Sequence, residues 1–450
     1  MPNFDGALMG MIAVFSIQNI FFIMIGLSWG ILAGAIPGFT SPMAIVLLMP
    51  LSYALEPLSA IVLLASCYAG SLFGGSITAI LLNAPGTPAA VCTAFDGYEM
   101  NKKGKSSEAL GFALGSSSIG GLISYILFII LMGPISVFAL KFGSPEMFML
   151  AVLGLSVISG LEPDHLLKGI LAVLVGLLLG TIGTASTGDM RGTFFLPDLM
   201  DGIPFIPALV GLFAFSELFL LVQRDHVYEE SIDFSKNNFS FKKVLVGIKG
   251  VFNYPKTLLF STLLGTFIGA VPAAGGSIAS FIAYNQSKQF SANPDSFGKG
   301  NPQGIVASES SNNASSGGAL ITTLAVGIPG SAPCAILLAA LLLHGIMPGP
   351  RLFLDQMPLV FGLFGGLIVA SIAMLILGVF FSSGFARAMM IPNSILVPTV
   401  AILCVVGTFS IRNSIFDVGL MVLFALLGII MNRCDYPPIA IVLGIILGPI

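Results

Sequence analysis

The chain of 450 residues is 56% hydrophobic and only 9% charged, with a formal net charge of −3 and a mean hydropathy of +1.00. Soluble domains carry about a quarter charged residues, so this composition excludes a soluble protein and indicates a polytopic membrane protein. No basic tract is long enough to bind nucleic acid, and the five cysteines stand singly, which favours free thiols over a disulfide framework.

The apolar stretches predict helices rather than strands. Leu110–Met132, Phe205–Val222 and Val360–Phe381 each reach the length of about 20 residues that crosses a bilayer as a helix. The alternating period of a membrane barrel is absent from the sequence. We therefore predict an all-α polytopic membrane protein with roughly 10–12 transmembrane segments.

Basic residues predict the orientation of the chain. No Lys or Arg precedes Lys102, so the N-terminus lacks the positive region of a secretory signal and is expected to face outward. Lys102–Lys105 and Arg224–Lys256 are expected to be cytoplasmic. Four apolar blocks lie between them, at about 109–132, 134–160, 165–182 and 204–222, and an even number of crossings returns the chain to the same side.

Pro-Gly clusters interrupt the apolar sequence at four places. "GAIPGFTS" begins at Gly34 and "GAVPAAGGS" at Gly269, 235 residues later. "GGSITAILLNAPGT" begins at Gly74 and "GALITTLAVGIPGS" at Gly318, 244 residues later. Interrupted helices at matching places in two halves of opposite orientation are typical of secondary transporters. We therefore predict inverted-topology repeats with discontinuous or re-entrant helices and an elevator-like movement.

The repeats predict a division of the chain. Repeat 1 covers residues 1–135, with breaks at 34–41 and 83–88, and repeat 2 covers 251–385, with breaks at 269–277 and 327–333. Residues 136–250 supply connecting transmembrane segments and a cytoplasmic loop, and residues 386–450 supply C-terminal transmembrane segments.

Each break offers polar groups inside an apolar region. A broken helix exposes backbone N–H groups that favour an anion and carbonyl groups that can hold Na⁺. Gly and Ser in membrane helices also serve close packing, but four breaks in two matched pairs favour a binding site. The predicted substrate-binding residues are Pro37, Gly38, Thr40, Ser41, Asn83, Pro85, Gly86, Thr87, Gly275, Gly276, Ser277, Asn312, Asn313, Pro329, Gly330 and Ser331.

The stretch "SESSNNASSGG", Ser308–Gly318, is the most polar segment close to a break. It leads into the helix that reaches Pro329, and its amides can serve a carboxylate or a cation. A plain polar loop with a helix cap is an equally good interpretation. If the chain binds Na⁺, we expect the ion near Asn83, Glu309, Asn312 and Asn313.

Long ordered motifs resemble one family. "GAIPGFTS", "GGSITAILLNAPGTPAAVCTAFDGYEM" followed by "KKGK", "ESSNNASSGGALITTLAVGIPGS" and "HGIMPGP" together resemble TctA, the large membrane subunit of tripartite tricarboxylate transporters. The resemblance implies a multi-pass protein of the bacterial inner membrane that imports carboxylates such as citrate by symport with Na⁺ or H⁺. It also implies a small membrane partner, TctB, and a periplasmic substrate-binding protein, TctC.

Two other functions are weighed against a carrier. An intramembrane enzyme would need a metal motif, an aspartate pair or a serine with a nearby base, and the sequence contains no HExxH run. A passive anion channel would show pore-lining rings rather than paired breaks. We therefore expect a transporter with no catalytic residues and no cofactor besides the coupling cation.

Overall fold

The computed structural model describes residues 4–36, 38–139, 166–184, 189–223, 240–272, 274–388 and 393–447, together with Pro145 and Met149. These residues are predominantly helical. The strands described among them are β1 (Gly183–Thr184) and β2 (Met190–Arg191), which pair antiparallel with Gly183 opposite Arg191. Three predictions lie wholly or partly outside the described residues: Pro37, most of the apolar block at 134–160, and residues 224–239 of the second cytoplasmic loop.

The first part of the chain forms helices that are separated by short turns. They are α1 (Phe4–Ala13), α2 (Ile17–Gly34), α3 (Ser41–Tyr53), α4 (Pro57–Leu82), a 3₁₀ turn (Pro88–Ala90), α5 (Val91–Lys102) and α6 (Ser106–Ala139). Further on come α7 (Leu166–Gly180) and a 3₁₀ turn (Pro197–Leu199). Three segments then follow without interruption: α8 (Phe205–Leu209), a π-helical segment (Val210–Phe215) and α9 (Ser216–Gln223).

The second part repeats this alternation of short and long helices. It contains α10 (Phe241–Gly250), a 3₁₀ turn (Val251–Asn253), α11 (Pro255–Ala270), α12 (Gly275–Phe290), a 3₁₀ turn (Pro294–Ser296), α13 (Pro302–Val326) and α14 (Ala332–Leu343). The chain ends with α15 (Leu352–Asp355), α16 (Met357–Ala388), α17 (Asn393–Arg412), α18 (Ile415–Arg433) and α19 (Pro438–Leu447).

Six helices among the described residues are long and apolar enough to cross a membrane. They are Ile17–Gly34, Pro57–Leu82, Ser106–Met132, Met357–Phe380, Ser394–Arg412 and Ile415–Arg433. The prediction of an all-α polytopic membrane protein is confirmed. Shorter apolar helices, such as Ala332–Leu343, adjoin the breaks, since an interrupted helix cannot reach full membrane length in one piece.

Two long helices form the centre of the molecule. Helix α4 is buried from Ser59 to Ile80, and α13 is buried from Gly304 to Leu320. Prolines in their first turns suit a position where the backbone N–H has no helical partner.

The run Ser308–Gly318 lies inside α13, so the interpretation of this run as a plain loop is wrong. Packing on every side stabilises a helix that Ser and Asn residues disfavour by themselves.

The two halves of the chain pack their helices in the same way. Glycines of α2 contact α4, and glycines of α11 contact α13. A methyl group on Gly34 would lie 2.3 Å from the carbonyl oxygen of Ser71, and one on Gly269 would lie 2.1 Å from that of Ser315. These pairs are separated by the same 235 and 244 residues as the Pro-Gly motifs. Small residues let membrane helices approach closely, so the sequence repeat extends to the packing.

Lys102–Lys105 and the described part of the second predicted cytoplasmic loop, from Ser240 onward, lie at one end of the molecule. The backbone N–H of Ser240 donates to Ser107 Oγ at 3.1 Å. Lys103 Nζ donates to the carbonyl oxygen of Lys299, so the turn before α13 belongs to the same end. Asp96, which is fully buried, accepts from the N–H groups of Gly300 and Asn301 at 2.9 and 2.7 Å.

Candidate functional site

The break after α4 returns the chain into the molecule. Asn83 ends α4 in the left-handed conformation with φ of 54°, which closes helix ends in the manner usual for Gly or Asn. The N–H of Gly86 then donates to the carbonyl oxygen of Gly75 at 3.2 Å. Asn101 Nδ2 donates to Leu81 O at 3.0 Å, so α5 leads back to the end of α4. The segment from Asn83 to Ala90 therefore folds back along α4, and we call it the first re-entrant segment.

The break after α13 has the same construction. Gly327 ends α13 with φ of 78° and lies 244 residues after Asn83. The N–H of Gly330 donates to Thr323 Oγ1 at 3.2 Å. The N–H of Gly349 donates to Leu324 O at 2.8 Å, which brings the chain after α14 back to the end of α13. Residues 327–331, between α13 and α14, thus form a matching second re-entrant segment.

Each re-entrant segment contacts the other half of the chain. The hydroxyl of Ser331 lies 3.2 Å from that of Tyr68 on α4, and both side chains are buried. Gly276, at the start of α12, is so close to α13 that a methyl group on it would lie 2.6 Å from Asn312 Oδ1 and 3.4 Å from Ala89 Cβ. Ala89, Gly276 and Asn312 therefore meet, which joins the first re-entrant segment to two helices of the second half.

Unpaired polar atoms lie on α13 and in the first re-entrant segment. Asn312 is at the meeting point, whereas Asn313 faces α6, since a methyl group on Gly121 would lie 3.8 Å from Asn313 Cβ. The Oδ1 and Nδ2 atoms of Asn312, Nδ2 of Asn313 and Oγ1 of Thr87 are buried and make no hydrogen bond to the described residues. Asn312 is 0% exposed and Thr87 is 3% exposed. A buried polar group without a partner costs about 1–3 kcal/mol, so these atoms are suited to receive a polar ligand.

A buried carboxyl group lies one turn before Asn312. Glu309 is 0% exposed. Thr93 Oγ1 donates to its Oε1, and Ser117 Oγ donates to its Oε2 at 2.6 Å. Ser76 lies near the same carboxyl group without hydrogen-bond geometry. Helices α4, α5, α6 and α13 thus each supply one oxygen-bearing side chain to this cluster.

The remaining predicted residues occupy the edges of the breaks. Thr40 caps α3 by accepting from the N–H of Met43, and Ser41 is buried in the first turn. Asn83 and Ser277 are exposed, whereas Pro329 and Gly330 are buried. Gly38 and Gly275 have φ of 83° and 62°, a region that glycine tolerates best. Pro37 lies outside the described residues.

Charged partners lie away from the meeting point in the part of the chain that the structure describes. The ion pairs there involve Lys102 with Glu99, Lys168 with Asp435, and Arg412 with Asp198 and Asp417. No group of three or more His, Cys, Asp or Glu side chains suited to a metal ion occurs among the described residues. The site consists of hydroxyl, amide and backbone groups together with one carboxyl group.

Sequence reasoning missed four contributors to the site. The sequence repeat could have pointed to Tyr68, because Tyr68 occupies the position in the first half that Asn312 occupies in the second, 244 residues later. Ser76, Thr93 and Ser117 stand on three different helices. Nothing in their local sequence distinguishes them from other serines and threonines of membrane helices.

Long apolar helices around a buried polar site, with re-entrant segments from both halves of the chain, define a polytopic membrane protein of the transporter class. The chain belongs to the tripartite tricarboxylate transporter TctA family, whose family model matches residues 20–443. The resemblance in the sequence motifs is thereby confirmed. The protein is a transporter component and not an enzyme.

Two curated relatives come from Agrobacterium vitis. The chain is 34% identical over 433 residues to an uncharacterized 52.8 kDa protein in the TAR-I ttuC′ 3′ region, covering 96% of this chain and 85% of the relative. It is 32% identical over 186 residues to an uncharacterized protein in the TAR-II ttuC′ 3′ region, covering 41% of this chain and 77% of the relative. No solved structure matches the chain.

Proposed function

We propose that the chain is an ion-gradient-coupled symporter that imports carboxylates such as citrate across the bacterial inner membrane. A periplasmic binding protein of the TctC kind delivers the substrate, and a small subunit of the TctB kind completes the complex. Membership of the TctA family supports both partners. The observation that carries the proposal is the buried, unpaired amide of Asn312 where segments from both halves meet.

The chemistry of this place suits a carboxylate. An ion that leaves water must find donors inside the protein, since an unpaired charge in an apolar interior is very costly. Asn312 offers an amide donor, and Thr87, two residues before Ala89, offers a hydroxyl donor, both unpaired within the described residues. The N–H groups of the re-entrant segments add further donors.

The repeat supplies the proposed transport movement. Residues 1–135 and 251–385 form two inverted repeats in this proposal, and the unit that holds the breaks moves against the rest of the protein. The lengths of corresponding helices support this division into two repeats. Helices α4 and α13 have 26 and 25 residues, and α5 and α14 each have 12. Alternating access by movement of one unit against another is the usual consequence of such repeats.

Reconstitution tests the proposal. Purified protein in liposomes should take up labelled carboxylates from a panel of tricarboxylates, dicarboxylates and aromatic acids when a Na⁺ or proton gradient is imposed. Unlabelled substrate inside should drive counterflow of labelled substrate, because a carrier exchanges its ligand. Uptake without counterflow would indicate a passive channel and would contradict the proposal.

A further inference from the structure

We propose that Glu309 binds the proton that couples transport to the proton gradient. The inference rests on the proposed function, and it narrows the choice between Na⁺ and H⁺. Glu309 is fully buried in the first third of α13, and its described hydrogen-bond partners are the hydroxyls of Thr93 and Ser117. No Lys, Arg or His side chain is among its described contacts.

A buried carboxylate needs a compensating positive charge. An isolated charge in an apolar interior is very costly, so the group binds a proton or a cation. The hydroxyls of Thr93 and Ser117 contact the two carboxyl oxygens directly, at 2.6 Å for Ser117. Each carboxyl oxygen keeps a second lone pair beside its hydrogen bond, so a proton can bind there without moving the two hydroxyls.

The hydroxyls suit both protonation states of the carboxyl group. A hydroxyl is both a donor and an acceptor, so Ser117 can donate to the carboxylate and accept from the acid. Ser308 Oγ lies 3.0 Å from Thr93 Oγ1, which continues the chain of hydroxyls beyond Glu309. The group can therefore gain and lose a proton while its oxygens stay partnered.

Other titratable groups on the neighbouring helices do not supply the missing charge. Cys92 on α5 is a buried free thiol. Asp96, one turn further along α5, is held by Gly300, Asn301 and the hydroxyl of Tyr284. The lysines on helices packed against α13 are exposed. The remaining titratable side chains on these helices are Cys67 and Tyr68 on α4, Tyr98, Glu99 and Lys102 on α5, Glu108 and Tyr125 on α6, Lys256 on α11, Lys288 on α12, Cys334 and His344 at α14, and Asp355 on α15.

The position of Glu309 explains how the proton affects the substrate. Glu309 and Asn312 are three residues apart on α13, which is about 4.5 Å along the helix axis. A substrate carboxylate at Asn312 and an ionised Glu309 repel each other, and proton binding removes that repulsion. Linkage then makes each ligand raise the affinity for the other, typically about 5- to 150-fold.

Infrared spectroscopy tests proton binding without measuring transport. Purified protein labelled with ¹³C-glutamate should show the C=O band of a carboxylic acid that is lost in Glu309→Gln. The matched control is Glu56→Gln, because Glu56 is exposed at the start of α4, and this variant should keep the band. Ser117→Ala should shift the band, since it removes a hydrogen bond. Identical spectra for the wild type and Glu309→Gln would overturn the proposal, as would loss of the band on addition of Na⁺ at constant pH.

Transport of labelled citrate in proteoliposomes tests the coupling. Accumulation driven by a pH gradient should fall to a ratio of one in Glu309→Gln, whereas Glu56→Gln should accumulate citrate like the wild type. Accumulation equal to the wild type would overturn the role of Glu309. If wild-type protein transports no carboxylate of the panel, the proposed function fails instead, and the infrared result alone decides whether Glu309 binds a proton.

Discussion

The hydroxyl of Tyr68 on α4 lies 3.2 Å from the hydroxyl of Ser331, 263 residues further along the chain. This contact joins the central helix of the first half to the re-entrant segment of the second half. The reverse contact is made by α13 with the 3₁₀ turn Pro88–Ala90 of the first half. Each central helix therefore contacts a broken segment of the opposite half.

Tyr68→Phe should weaken substrate binding. The change leaves the buried hydroxyl of Ser331 without this partner, and an unsatisfied buried group costs about 1–3 kcal/mol. We expect the KM for counterflow of the best carboxylate to rise about 5- to 100-fold. Tyr53→Phe is the matched control, since Tyr53 is 50% exposed. Equal KM values for the two variants would show that the contact serves folding alone.

Gly34→Ala and Gly269→Ala should each destabilise the protein. The added methyl group would meet a backbone carbonyl oxygen at 2.3 or 2.1 Å, and overpacking costs about 1–3 kcal/mol. Thermal unfolding in detergent should show a lower Tm for both variants. Gly419→Ala is the control, because a methyl group on Gly419 has no neighbour within 4 Å. A Tm equal to that of the control would contradict the close packing.

Residues 103 and 293 should be accessible from the cytoplasm only. Lys103 contacts Lys299 in the turn that contains Asn293, so both positions lie at the same end. Lys103→Cys and Asn293→Cys are made in a Cys434→Ser background, since Cys434 is exposed. A membrane-impermeant thiol reagent should label both in inside-out vesicles and neither in intact cells with a permeabilised outer membrane. Labelling of either position in those cells would reverse the orientation.

Asp96→Asn should loosen the end of the molecule near Lys103. Asp96 accepts hydrogen bonds from Gly300 and Asn301, and bonds to a charged group are worth about 1.5–3 kcal/mol. We expect a lower Tm and faster amide hydrogen exchange in residues 294–303. Asp295→Asn, an exposed change in the same turn, is the control. Unchanged exchange in that segment would argue against a fixing role for Asp96.

The sequence predicts the class of fold and the position of the breaks, because composition and proline with glycine act locally. It predicts the burial of α13 less well. Ser308–Gly318 is polar enough for a loop, and only the surrounding helices make it a buried helix. The partners of Glu309 were not predicted, since Thr93 and Ser117 come from helices whose contacts depend on the whole fold.

The central claim is that Asn312 receives the substrate carboxylate where the two halves meet, and counterflow at limiting substrate tests it most directly. Losing a hydrogen bond to a charged ligand costs about 1.5–3 kcal/mol, which is roughly ten- to a hundredfold in affinity. Asn312→Ala should therefore raise the KM by that factor while remaining folded in detergent. Asn293→Ala, at an exposed asparagine, should transport like the wild type. A KM for Asn312→Ala equal to that of the wild type would contradict the account.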